Sequence, residues 1–258
     1  MNYQIAIVSG NRATSKNFKT LTYLRKINIL YNNVILFFEK NQQEEYLARE
    51  DVKYALSNGA NIVWLNCKNI ADARNYIEKE YFNDGDKVLC LDDDIQYLNI
   101  KKDGKVKRLD DFKDLDFLIK KYFKMCIENN CKLFGLYPIA RNIQWFEKTR
   151  DMIGNNHILA VFSGVIIDKS LPLQNIDFNC KEEYERGFIY GKNIRAGYIA
   201  VSSQWYREDG IGFRSFEVQL KVCNELIKKY PEFMSKTPLK INENKKTADL
   251  RLNRSYYK

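Results

Sequence analysis

The segment KVLCLDDDIQYL, residues 87–98, most constrains what this chain can fold into. Val88, Leu89, Cys90 and Leu91 form an unbroken apolar run, the pattern of a strand buried on both faces. Three aspartates, Asp92, Asp93 and Asp94, follow where the run stops. In an open α/β sheet, ligands bind outside the carboxyl ends of the strands. Carboxylates this close repel one another and cost stability unless a cation neutralises them. A divalent metal with hard oxygen ligands does so, and commonly takes phosphate oxygens as its remaining ligands. The alternative is a solvated acidic turn.

Short apolar runs alternate with helical patterns along the chain, as in a mostly parallel sheet flanked by helices. Strands are predicted at residues 4–8, 34–38, 61–65 and 87–91, with helices at 16–27, 42–58 and 71–82 between them. Beyond the aspartates, residues 95–109 read as a hairpin around Asp103-Gly104, and 111–130 as a long amphipathic helix. Strands follow at 132–138 and 157–167, with an aromatic-bearing loop at 141–156 between them. A helix at 182–195 closes at Ala196-Gly197, and the last strand is 198–203. A final helix covers 216–229. What remains has few large apolar residues and reads as an extended or flexible arm. The domain division is 1–227 for the α/β domain and 228–258 for the basic C-terminal arm.

A chain of 258 residues suits one large α/β domain or two small ones. No run of 18 apolar residues occurs, and the start MNYQIAIVSG lacks the layout of a signal peptide. A cytoplasmic protein with no membrane partner is the expectation. The six cysteines are scattered without a CxxC pair, and His157 is the one histidine, which argues against a zinc site and a His-based triad. His157 is expected at a strand edge without a chemical role. The net charge of +9 is concentrated. Residues 228–258 hold nine Lys and Arg against Glu232, Glu243 and Asp249, and KKDGKVKR at 101–108 holds five against Asp103. Such surfaces suit a polyanionic partner, nucleic acid first. The alternative is a merely soluble cation.

The order of strand, small-residue loop, three βα units and an acidic strand end resembles the GT-A fold glycosyltransferases that use nucleotide sugars. Asp92 and Asp94 match their aspartate-any-aspartate motif. IADARNYIEKE at 70–80 resembles their Ala-Arg-Asn segment, through Ala73, Arg74 and Asn75. KEEYERGFIYGKNIRAGYIAV at 181–201 is similar to their acidic helix, with Glu182-Glu183 where the family often has Glu-Asp. The resemblance covers about residues 3–210 and implies a Rossmann-like α/β fold and a metal-dependent glycosyltransferase with a UDP-sugar donor. SGNRA, LDDDI, FSGVIIDKSL and REDGIGFRS further resemble the TET/JBP-associated glycosyltransferases of phages, viruses and kinetoplastids. That implies a hydroxymethylated pyrimidine in DNA as acceptor, in host cytoplasm if the source is a phage or virus.

On this resemblance Asp94, with Asp92, holds Mn²⁺ or Mg²⁺, and Asp93 orients ribose or sugar. Glu183 is the first choice of catalytic base, Glu182 the second and Asp209 the third. Adjacent helical residues point about 100° apart, so one of the two glutamates faces the acceptor. The alternative is a charged helix start complementing the macrodipole. Ser9, Asn11 and Arg12 grip the nucleotide, or form a plain βα turn. Arg74 and Asn75 contact ribose or base, or Arg74 is a surface arginine. Ser163 and Gly164 bring backbone near the sugar, with a β-bulge as the alternative. Trp145, Trp205 and Tyr206 are candidates to stack an acceptor base or sugar, with core packing the more common role for any one of them. Lys101, Lys102, Lys105, Arg207 and Arg214 are candidate DNA-phosphate contacts. The competing functions are another acceptor (glycan, lipid or protein), a nucleotidyltransferase, and a catalytically idle DNA-binding module.

Overall fold

The computed structural model describes residues 2–16, 18–137, 142–175, 177–178, 180–203, 215–244, 246–253 and 256. Arg207 and Arg214, with Trp205, Tyr206 and Asp209, lie outside the described residues.

The first half follows a βα order: β1 (Gln4–Ser9), α1 (Thr20–Lys26), β2 (Val34–Glu39), α2 (Gln43–Ala48), α3 (Glu50–Ser57), β3 (Asn61–Leu65), α4 (Ile70–Asn75) and β4 (Lys87–Asp92). Next come β5 (Ile95–Lys102), β6 (Lys105–Arg108), α5 (Phe112–Glu128), β7 (Leu133–Tyr137), α6 (Ile143–Glu147), β8 (Met152–Gly154) and β9 (Phe162–Ile166). The chain continues with α7 (Glu182–Tyr190), β10 (Asn193–Ser203), α8 (Phe216–Lys229), β11 (Met234–Asn242) and β12 (Thr247–Leu252).

One sheet runs β3-β2-β1-β4-β9-β7-β10-β5-β6, with β8 paired to β10. Its β3-β2-β1-β4 half is parallel throughout. Beyond β4 the sheet is mixed: β9 runs antiparallel to β4 and β7, and β7 is parallel to β10. Successive residues of β1, β2 and β4 feed two cores. Ile5, Ile7, Leu36, Phe38, Leu89 and Leu91 face α1, α3 and α5. Ala6, Val8, Ile35, Phe37, Val88 and Cys90 face the side of Ala73 and Ile77. Apolar residues wanted on both faces explain why these strands read as continuous runs. Because β1 and β4 are parallel neighbours, Ser9 and Asp92 end up at the same edge of the sheet.

Several expected elements take another form. The helix of 42–58 breaks at Arg49, whose backbone is extended. There its guanidinium reaches Asp51 (2.9 and 3.0 Å) and the carbonyl of Ala13 (2.8 Å), pinning the loop after β1. The helix of 71–82 becomes α4 followed by a π-helical turn, Tyr76–Tyr81. In 141–156, α6 and β8 form. Of the strand expected at 157–167, β9 covers Phe162–Ile166. The helix of 182–195 stops at Tyr190 because Gly191 turns to φ 67° and ψ −126°, and β10 begins at Asn193. Gly197 answers a different need: a Cβ there would lie 2.1–2.4 Å from the backbone of Arg150.

The expected flexible arm is also corrected. β11 and β12 form an antiparallel hairpin. Phe233, Met234, Ala248 and Leu250 bury themselves with Phe188 of α7 and Val222 and Leu226 of α8. Few apolar residues suffice because α7 and α8 supply the rest of this small core. Among the described residues no helix is long and apolar enough to cross a membrane.

Candidate active site

The carboxyl ends of β1 and β4, the start of α1 and the start of α7 converge at one corner of the sheet. The turn after β4 is tied to α1 first. The Asp93 carbonyl accepts the N–H groups of Lys19 (2.7 Å) and Thr20 (3.0 Å). Thr20 Oγ1 donates to the Asp92 carbonyl (2.6 Å) and accepts the N–H of Ile95 (2.9 Å). The three carboxylates are thus held in fixed, different directions.

Asp93 points inward and is 3% exposed. Its Oδ2 accepts from Ser9 Oγ, which shares a 2.7 Å hydrogen bond with Tyr46. Its Oδ1 accepts from Arg12 Nη1 at 2.7 Å. Burial pushes its carboxyl up to about 6 against the Arg12 charge and the Ser9 hydrogen bond. Asp94 Oδ2 lies 3.4 Å from the same Arg12 nitrogen, and its Oδ1 is buried with no hydrogen-bond partner among the described residues. Burial first, then the charges of Asp92 and Asp93, push Asp94 up to about 7. Asp92 is the most open of the three, its side chain 34% exposed, with Arg74 Nη2 at 3.4 Å.

Arg74 is 4% exposed, so it is no surface arginine. It spans the corner, its other terminal nitrogen lying 3.2 Å from Glu182 Oε1. Burial and the neighbouring Glu183 charge raise the Glu182 carboxyl to about 6. Glu183 points elsewhere, as adjacent helical residues must. Its Oε1 lies 3.5 Å from His157 Nε2. Asn75, expected at the nucleotide, is tied to Gln174. It donates to the Gln174 carbonyl (3.0 Å) and accepts the Gln174 N–H (2.9 Å), and Gln174 Nε2 donates to the Glu182 carbonyl (3.2 Å).

Ser9 lies at the corner, but its hydroxyl is engaged by Asp93 and Tyr46. Asn11 is exposed with φ 56°, the left-handed region asparagine tolerates. Ser163 and Gly164 lie inside the sheet, opposite Cys90 and Leu89 in an uninterrupted register without a bulge. Ser163 accepts from buried Arg186 (2.7 Å), and a Cβ on Gly164 would lie 1.9 Å from the Phe134 ring. Packing, not approach to a sugar, accounts for that pair. The basic hairpin is largely occupied. Lys101 Nζ donates to the Thr149 carbonyl and hydroxyl and sits over the Phe146 ring (5.0 Å). Lys102 pairs with Asp114 (2.9 Å) and Lys107 with Asp103 (3.2 Å). Lys105 is exposed. Trp145 is exposed on α6.

Among the described residues no group of three or more His, Cys, Asp or Glu side chains forms a cation cage. Two carboxylates remain, Asp92 partly open and Asp94 with a buried, unpartnered oxygen. One or two carboxylates plus phosphate oxygens is the donor set typical of Mg²⁺-type sites, so the residues fit such an ion.

Sequence reasoning missed Thr20, Tyr46 and Gln174, which orient the site. They are ordinary polar residues, Thr20 lying 72 positions from Asp92, Tyr46 37 from Ser9 and Gln174 99 from Asn75, so no local signal marks them.

No family profile matches this chain, and no curated protein does either. Solved structures do. S. aureus TarS, residues 1–349, superposes with a TM-score of 0.50 at 14% identity, over 88% of this chain and 66% of that one. The same TarS segment in complex with UDP-GlcNAc gives 0.50 at 12% identity, over 87% and 66%. This chain therefore spans just under two thirds of the TarS segment. The likeness is one of fold: a mixed α/β, GT-A-like domain with flanking helices.

Proposed function

We propose that this protein is a metal-dependent glycosyltransferase that uses a nucleotide sugar, with a UDP-sugar as the donor class. The observation that carries the reading is the Asp92–Arg74–Glu182 chain. It sets the acidic strand end and the acidic helix against one another at the edge where α/β sheets bind ligands. The GT-A-like fold supports it, as does the UDP-GlcNAc carried by the TarS complex.

In this reading Asp94 and Asp92 hold Mn²⁺ or Mg²⁺, which when bound offsets negative charge on the departing diphosphate. Asn11 and Arg12 contact the nucleotide. Ser9 serves by fixing Asp93, whose position in turn fixes Arg12. Arg74 keeps the two acidic groups apart and aligned. Glu183 accepts the proton of an acceptor hydroxyl as that oxygen bonds to the anomeric carbon and the bond from that carbon to the diphosphate oxygen breaks. Glu182, engaged by Arg74, is the second choice.

The acceptor we carry forward is a hydroxymethylated pyrimidine in DNA. Its support is the charge of +9 and the exposed Lys105, together with the motif resemblance, part of which lies in the undescribed 204–214. Lys101 and Lys102 no longer contribute, being engaged within the protein. Nucleoside diphosphate release tests both levels. Several sugar nucleotides are offered with Mn²⁺ or Mg²⁺, alone, with hydroxymethylated DNA and with unmodified DNA. Release stimulated by the modified DNA is expected. Equal release with unmodified DNA removes the DNA acceptor and leaves a glycan, lipid or protein. No release, and no thermal stabilisation by any sugar nucleotide, removes the transferase.

A further inference from the structure

His157 lies outside the strands, five residues before β9 begins at Phe162. Its ring lies flat on Tyr184, centroids 3.9 Å apart and planes 6° from parallel. Tyr184 is 3% exposed and is itself anchored, its hydroxyl donating to Asp249 Oδ1 of β12 at 2.6 Å. Lys181 Nζ approaches the same oxygen at 3.2 Å. The imidazole plane is therefore set by a stack that the C-terminal hairpin braces. Within that plane Nε2 is buried, has no hydrogen-bond partner among the described residues, and lies 3.5 Å from Glu183 Oε1. That is too long for a formed hydrogen bond and within reach of one after a small rotation. The charged and titratable groups facing the ring are Glu183, Tyr184 and Lys181 from the start of α7, and Asp249 from β12. Cys223 of α8 packs in the same cluster as Tyr184.

The geometry points to His157 as the positioning partner of Glu183: an imidazole held by the Tyr184 stack, donating from Nε2 to orient the carboxylate and stabilise its charged form. This rests on the reading of Glu183 as the base in sugar transfer. It distinguishes the two glutamates by their partners, Arg74 for Glu182 and His157 for Glu183. It also gives residues 231–253 a function at the site, since Asp249 holds the tyrosine that holds the histidine.

Two measurements on the 258-residue chain test it. In urea unfolding, His157→Ala and Glu183→Gln are expected to be non-additive, the double variant losing clearly less than the sum of the single losses, because the two side chains face one another. His157→Ala and Glu182→Gln are expected to add. Additive losses for His157→Ala with Glu183→Gln overturn the pairing. In steady-state kinetics His157→Ala is expected to lower kcat about tenfold or more, with the donor KM within about twofold, and His157→Gln to recover part of it. Equal loss in kcat and donor affinity, or no difference between the Ala and Gln variants, overturns the positioning role. A wild-type chain that turns over no sugar nucleotide sinks the transferase reading and this role with it, while the unfolding cycle still reports whether the two side chains are coupled.

Discussion

Asp92, Asp93 and Asp94 are identical in chemistry and consecutive in the chain, yet their neighbours make them three different groups. Asp93 is a buried anchor for Ser9 and Arg12, Asp94 has a buried oxygen with no partner among the described residues, and Asp92 is partly in water. Asp93 and Asp94 carry carboxyls raised to about 6 and about 7. The folded chain then keeps protons that the unfolded chain releases, so their cost to stability grows as pH rises from about 4 towards 7. In EDTA the melting temperature is expected to fall between about pH 5 and about pH 7.5. Asp94→Asn should flatten that fall and stabilise the metal-free protein by about 1–3 kcal/mol at the upper end. A variant no more stable than wild type at pH ~7.5 contradicts this. Deeper in the core, Arg186 is 2% exposed and contacts Glu78 (2.6 Å) and Ser163, while Tyr190 donates to Glu78 (2.7 Å). Removing one partner of such a pair leaves a buried charge, so Arg186→Met is expected to cost about 3–5 kcal/mol in urea unfolding. Arg186→Met with Glu78→Gln should recover part of it. Equal stability of single and double variants would falsify the coupling.

At the scale of elements, the site depends on where α7 begins and how β9 packs beneath it. Gln174 and Asn75 fix the start of α7. The π-helical turn after α4 carries Glu78 on to Arg186 of α7, so the helices bearing Arg74 and Glu182 are joined twice. Gly164 lets the Phe134 ring lie against β9. Gly164→Ala is expected to destabilise the fold by about 1–3 kcal/mol through overpacking. Phe134→Leu in that background should restore part of the loss, and a neutral Gly164→Ala would show that the ring moves aside freely. Strands β1, β2 and β4 were legible to within about one residue because both their faces are buried and the apolar run has no gaps; β3, only partly buried, was marked by its short apolar run alone. Helix ends were not. Gly191 and Gly197 look alike in the sequence, and the difference between a turn at φ 67° and a close approach to Arg150 is decided by other elements.

For the whole molecule, the largest correction is the C-terminal hairpin. Phe233 is 7% exposed and stacks on Phe188 of α7 at 5.1 Å, and Asn155 donates to the carbonyls of Phe233 (2.9 Å) and Asn253 (3.2 Å). Phe233→Ala is expected to cost about 3–5 kcal/mol, the range for a buried aromatic. Calorimetry of the full-length variant checks it: a loss within about 0.5 kcal/mol, as for a surface site, would mean the hairpin is dispensable. The same packing changes the meaning of the basic tail, because a braced hairpin presents its lysines from a fixed surface rather than a free arm.

The sequence by itself determined the alternation of strands and helices, the acidic end of β4 and the acidic start of α7, because periodicity and local charge are written in neighbouring residues. Tertiary structure alone decided which aspartate is an anchor and which has an unpartnered oxygen, that Arg74 bridges Asp92 to Glu182, and that His157 faces Glu183. Those relations join residues 18 to 108 positions apart, and only folding makes them neighbours. Burial and pairing then set the charge and direction of each group, and neither can be read from its identity.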